Sequence, residues 1–207
     1  MTSSFSLILY HEKHPVALLC NALPSLYKEK IFYQISPTYY FHFTHQNNMN
    51  LSKLAQTIDA AALNAEPIKQ LSFKNKFTEK EAYQIQALSL KHRYERGEKL
   101  IGLKMGFTSK AKMEQMGVHD LIWGRLTDAM LYENGDRLKL KKFIHPRAEP
   151  ELCFWIKKDI DKKLTLKEAP GYVEAVAPAI EIIDSRYRNF KFSLEDVIAD
   201  NCSSAAF

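Results

Sequence analysis

A chain of 207 residues with 46% hydrophobic and 26% charged residues can bury one substantial core, and its balance excludes a disordered or fibrous protein. The net charge of +5 is spread out: the densest basic runs, residues 139–142 and 157–163, carry no nucleic-acid motif, and Asp159 and Asp161 interrupt the second, so solvated faces are expected and nucleic acid is not an expected partner. Glu12, Lys13 and His14 split apolar residues 5–23 into pieces too short for a membrane span or signal core, and Cys20, Cys153 and Cys202 show no C-x-x-C spacing, so a cytoplasmic protein with no membrane segment is expected.

Residues 1–48 hold an aromatic cluster, Tyr39, Tyr40, Phe41 and Phe43, and four histidines, with no clean helical or strand period. The texture changes at Met49. Residues 1–48 are therefore read as an atypical N-terminal extension and 49–207 as the domain. The extension either packs on the domain or precedes a natural start at Met49, and its lack of internal consistency favours the second.

Leu51, Leu54, Ala55, Ile58 and Ala62 predict a helix, with Asn50 or Ser52 as its N-cap. Thr78 and Glu81 form a capping-box pattern ahead of Ala82, Ile85 and Leu88, and Gly97 is placed to end that helix. A short third helix is expected over 109–116, capped by Thr108 or Ser109 and ended by Gly117. Beyond Gly117 the apolar runs shorten. Glu133-Asn134-Gly135-Asp136 predicts a hairpin turn, and His145-Pro146 cannot lie within a central strand. The fold class is α+β, a helical N-terminal part followed by strands.

Leu100 to Phe107 reads LIGLKMGF, which alternates as a strand does. Ile101, Leu103, Met105 and Phe107 take one face, while Lys104 sits between Gly102 and Gly106 on the other. The glycines leave room for the Lys104 ammonium to reach a ligand, or they serve a bulge beside a solvated lysine. In RAEPELCFWI, Glu149 and Glu151 project from one face, with Leu152, Phe154 and Ile156 on the other. Paired carboxylates repel. A hard divalent cation such as Mg²⁺ or Mn²⁺ would join them, although a solvated face with lysine partners needs no ion. Glu181 lies in the apolar run AIEIID and needs a partner if buried. It is the candidate third ligand, with a salt bridge in the Asp184 and Arg186 group as the alternative. Residues 199–205, ADNCSSA, line a pocket or form a turn. Cys153 and Cys202 have no identified activating base.

Four segments in this order, GLKMGFTSKAKMEQMGVHD, IHPRAEPEL, PAIEIIDSRY and ADNCSSA, resemble the 2-keto-4-pentenoate hydratase and 4-oxalocrotonate decarboxylase family of the fumarylacetoacetate hydrolase superfamily. The resemblance spans residues 49–207. It implies a mixed β-roll after the helical part, metal-binding Glu149, Glu151 and Glu181, active-site Lys104, and Ser203 near the substrate. It also implies a homo-oligomer that associates with a hydratase partner.

The block from His145 to Glu151 looks more like the decarboxylase branch. In the hydratase branch the position of Ile122 is associated with an acid that helps activate water, and Ile122 cannot supply one. The implied reaction is metal-dependent decarboxylation of a small 2-oxo dicarboxylic acid, 2-oxo-3-hexenedioate, to 2-hydroxypenta-2,4-dienoate in catechol meta-cleavage. Hydratase activity is the alternative. Family members continue with further strands beyond the position of Phe207, so the roll is expected to be incomplete at the C-terminus. An inactive remnant or a binding scaffold is the remaining reading.

Overall fold

The apolar stripe beginning at Leu51 folds as helix α1 (Asn48–Asn64), burying Leu51, Leu54, Ala55, Ile58 and Ala61. In this computed structural model, which describes residues 6–10, 48–108, 113–114, 121–160, 162 and 164–207, the helix starts ahead of the expected cap at Asn50 or Ser52. Helix α2 (Glu79–Glu95) begins as its capping box dictates: Thr78 Oγ1 accepts from the Glu81 N–H at 3.3 Å, and the Glu81 carboxylate accepts from the Thr78 N–H at 2.7 Å. Two N–H groups that the first turn would otherwise strand are satisfied. Gly97 follows the helix at φ +99°, a conformation that a Cβ would disfavour. The expected helix over 109–116 lies mostly outside the described residues, of which 113–114 are helical.

A short helix α3 (Leu194–Ala199) starts from a second capping box, between Ser193 and Asp196. The three helices close on Leu54, Ile58, Ile85, Tyr187, Val197 and Ile198, each such side chain adding about 1.5–3 kcal/mol on burial. Gln86 is buried among them and its amide donates to the carbonyls of Trp123, at 3.1 Å, and Ile198, at 2.9 Å. Fully paired polar groups of this kind tie α2 to the sheet without a desolvation penalty.

Among the described residues six strands form one mixed sheet: β1 (Ser6–Tyr10), β2 (Leu100–Gly106), β3 (Ile122–Thr127), β4 (Arg147–Ile156), β5 (Val173–Ile183) and β6 (Ser204–Ala206). Their order is β3-β2-β1-β4-β5-β6. Strand β1, from the segment with no clean period, runs antiparallel to β2 and parallel to β4, with Ile8 level with Lys104 on one side and Cys153 on the other. One face packs Leu103, Met105, Trp123 and Ile156. The other gathers Ile8, Leu126 and Met130 with Cys153, Ala179 and Phe207.

The ends of this sheet meet. Asn201 donates from its amide to the Arg125 carbonyl at 2.8 Å and accepts from the Arg125 N–H at 2.7 Å. Beyond β6 the Phe207 carbonyl accepts from Tyr132 and the Phe207 N–H donates to Met130, both at 2.9 Å. The chain around β6 thus lies against β3, and the face holding Ile8 becomes an interior.

Two strand expectations change. Residues 133–136 do turn, with the Asp136 N–H donating to the Glu133 carbonyl at 3.0 Å, but no strand flanks them, so there is no hairpin. Pro146 stays outside β4 as expected, yet Pro150 lies within it. Proline removes a ladder donor, and among the described residues β1 pairs with β4 from Glu151 onward, beyond Pro150.

Candidate metal centre

The register that pairs Glu149 with Glu181 and Glu151 with Ala179 places three carboxylates on the interior face of β4 and β5. One oxygen from each of Glu149, Glu151 and Glu181 lies within 4.8 Å of the others. Glu181 is fully buried, Glu151 is 2% exposed and Glu149 is half-buried. At that spacing each pair of ionised carboxylates repels by about 3 kcal/mol or more at an effective dielectric of about 20.

Lys104 offsets part of this. Its Nζ lies 2.9 Å from Glu181 Oε2, and Ser204 Oγ donates to Glu181 Oε1 at 3.0 Å. Burial works to lower the Lys104 pKa, but the Glu181 carboxylate beside it, with Cys202 and Glu149 further off, leaves it above its ordinary value. The lysine is an ammonium, so the first alternative, a solvated edge lysine, is not what is found. Arg186, the expected alternative partner for Glu181, binds elsewhere. Its Nε and Nη2 engage the Asp200 carboxylate and carbonyl, and Nη1 donates to the carbonyls of Asp184, at 2.7 Å, and Ser204, at 3.1 Å.

One ammonium cannot balance three carboxylates. The residual charge is negative, the donors are all hard oxygens, and the spacing suits one small cation: this donor set fits a divalent ion such as Mg²⁺ or Mn²⁺.

The fourth wall is residues 201–203, where Asn201, Cys202 and Ser203 all take positive φ, from 51° to 60°. Left-handed backbone is unfavourable for residues with a Cβ, so the surroundings hold it. The Ser203 N–H donates to Asp200 at 2.9 Å and its carbonyl accepts from Asp184 at 2.7 Å. Burial pushes the Asp200 carboxyl up to about 6 despite Arg186 beside it. Ser203 Oγ is left buried with no protein hydrogen-bond partner among the described residues, one residue from the serine that contacts Glu181. Burial also pushes the Cys202 thiol up to about 12, against the pull of Lys104, and raises that of Cys153. Neither is a thiolate nucleophile. Ile122 is buried in the helical core, where it fills the space beside Gly106.

All five expected positions lie on this interior or its wall. Ser204, the Arg186–Asp200 clamp and the Asn201 bridge were not foreseen. Only the small, polar character of residues 199–205 pointed towards them.

Known proteins resemble this chain over most of its length. No protein-family model matches the chain. It is 55% identical over 159 residues to a 4-oxalocrotonate decarboxylase of Pseudomonas sp, covering 77% of this chain and 62% of that protein. A 2-hydroxypent-2,4-dienoate hydratase of Pseudomonas putida is 40% identical over 129 residues, covering 61% of this chain and 58% of that protein. Among solved structures, the 4-oxalocrotonate decarboxylase of Pseudomonas putida G7, complexed with magnesium and adipate, superposes with a TM-score of 0.74 at 36% identity, covering 79% of this chain and 63% of that one. The chain thus spans less than two thirds of the length of each.

Proposed function

We propose, from its similarity to 4-oxalocrotonate decarboxylases and to a 2-hydroxypent-2,4-dienoate hydratase, that the chain belongs to their family and decarboxylates 2-oxo-3-hexenedioate to 2-hydroxypenta-2,4-dienoate. The observation that carries the proposal is the triad of Glu149, Glu151 and Glu181 with the Lys104 ammonium 2.9 Å from Glu181. The 55% identity to a decarboxylase supports that branch over the hydratase.

In this reading the three glutamates hold Mg²⁺ or Mn²⁺, which when bound supplies Lewis acidity to the 1-carboxylate and 2-oxo group of the substrate. The C5–C6 bond breaks as CO₂ leaves, and its electrons move through the conjugated chain towards the 2-oxo oxygen. Lys104 is the catalytic cation in this reading: it offsets the negative charge that grows on that oxygen and relays a proton to it. Ser203 Oγ hydrogen-bonds the substrate. Glu151, Glu181, Lys104 and Ser203 are buried, which strengthens each of these interactions. The exposed apolar side chains Leu152, Val176 and Ile180 on the outer face of β4 and β5 support a homo-oligomer.

The test is Mg²⁺-dependent consumption of 2-oxo-3-hexenedioate by the purified 207-residue chain, with Glu149→Ala as control. Turnover that the substitution abolishes supports the proposal. Formation of 4-hydroxy-2-oxopentanoate from 2-hydroxypenta-2,4-dienoate would replace it with the hydratase. A folded chain that binds Mg²⁺ and turns over neither compound is a binding scaffold.

A further inference from the structure

The charges of Glu149, Glu151, Glu181 and Lys104 cancel once a divalent ion is present. A 2-oxo dicarboxylate brings two more negative charges, and only the one beside the 2-oxo group reaches the ion. The other needs its own cation. Lys104 is committed to Glu181 and Arg186 to Asp200.

Arg147 is not committed. It opens β4, two residues before Glu149 and on the same strand face, with its side chain exposed. Its guanidinium lies 3.9 Å above the ring centroid of Phe190, and no carboxylate pairs with it among the described residues. The His145 ring stands 4.9 Å from the same Phe190 ring, and its Nε2 is buried with no protein hydrogen-bond partner among the described residues. Two nitrogen groups thus converge on one aromatic platform at the Arg147 end of the carboxylate row. The platform is fixed: Asn189 and Phe190 hold positive φ at 59° and 56°, and Asp184 binds the N–H groups of Ile144, at 2.9 Å, and His145, at 2.7 Å.

We propose that Arg147, with His145 beside it, is the subsite for the distal carboxylate of a 2-oxo dicarboxylate. The inference rests on the reading above, in which the 2-oxo acid end lies at the glutamate triad. Two residues of strand advance about 6.5 Å, close to the roughly 6 Å between the carboxyl carbons of an extended six-carbon diacid. Stacking on Phe190 leaves the edge of the guanidinium free, and that edge matches a carboxylate through two parallel hydrogen bonds. The contact is made to the substrate before CO₂ leaves, so it reads out in binding.

The experiment is calorimetry on the Mg²⁺-loaded full chain with 2-oxoadipate and with 2-oxohexanoate, which lacks the terminal carboxylate. Wild type should bind 2-oxoadipate tenfold or more tightly than 2-oxohexanoate. Arg147→Gln should abolish that preference by weakening 2-oxoadipate alone, and Arg147→Lys, which keeps the charge but not the fork, should restore part of it. A preference that survives Arg147→Gln, or an equal weakening of both ligands, overturns the subsite and leaves the metal site standing. A wild type that binds neither ligand overturns the metal-site reading and the subsite with it.

Discussion

Lys104 Nζ and Glu181 Oε2 meet at 2.9 Å, although β1 and β4 lie between their strands in the sheet. Curvature brings them together, and the ammonium and a bound cation share the work of balancing the carboxylates. Lys104→Met removes the ammonium beside the buried Glu181 carboxylate, a loss of about 3–5 kcal/mol, so its melting temperature should fall. Its gain in melting temperature on adding Mg²⁺ should exceed that of wild type. Glu149→Gln relieves the repulsion and removes a ligand, so the metal-free variant should melt no lower than wild type and gain little from Mg²⁺. Thermal melts with and without Mg²⁺ check both, and equal gains in the two variants would defeat the charge argument.

Gly124 is where the 201–203 segment touches β3. A Cβ at Gly124 would stand 2.6 Å from the Asn201 carbonyl oxygen, which is backbone and cannot swing aside. Gly124→Ala should cost about 1–3 kcal/mol of stability by overpacking. It should also weaken Mg²⁺ binding, because the displaced segment carries Ser204 away from Glu181. Gly171→Ala, with nothing within 4 Å of the added carbon, is the control, and matching denaturation midpoints for the two variants would refute the contact.

These contacts mark where the sequence stops being informative. Helix α2 was legible because a capping box and a glycine stop are local signals, and the shared face of Glu149 and Glu151 follows from strand alternation alone. Two carboxylates on one face left a cation and a solvated face with lysine partners both open. The approach of Lys104 to Glu181 was not legible from spacing, because it depends on strands separated by long stretches of chain folding into one curved sheet. The expected hairpin at 133–136 failed for a related reason: Asn-Gly chemistry makes the turn, but strands form only where partners exist, and β3 and β4 find theirs elsewhere. Arg186 looked like a partner for Glu181 by proximity in sequence. It went to Asp200 because a guanidinium there also satisfies the carbonyls of Asp184 and Ser204.

Cys202 should be inert despite its place beside Lys104. Burial raises its thiol from 9.0 to about 12, and only the thiolate reacts, so at pH 8 alkylation should run roughly a thousandfold slower than at an ordinary thiol. The rate should climb about tenfold per pH unit towards 12, while the fold persists. Peptide mass spectrometry after iodoacetamide treatment of native and unfolded protein measures this. Rapid native labelling of Cys202 at pH 7 would contradict it.

Strand β1 tests how far residues 1–48 belong to the folded unit. Ile8 is fully buried against Leu126 and Met130, and its strand supplies the partner for β2 on one edge and β4 on the other. A chain that starts at Met49 leaves both edges unpaired and this apolar interior open to water, conditions that favour aggregation. Ile8→Asp should act in the same direction within the full chain, since a lone carboxylate in that cluster has no partner and must be desolvated or break the strand away. Both proteins should lose the cooperative melt of wild type and elute as aggregates on gel filtration, and amide exchange should quicken in β2 and β4 before it does in α2, whose core is built without β1. A chain of residues 49–207 that melts as sharply as the full protein, at the same temperature, would show that β2 and β4 find other partners and that β1 is dispensable.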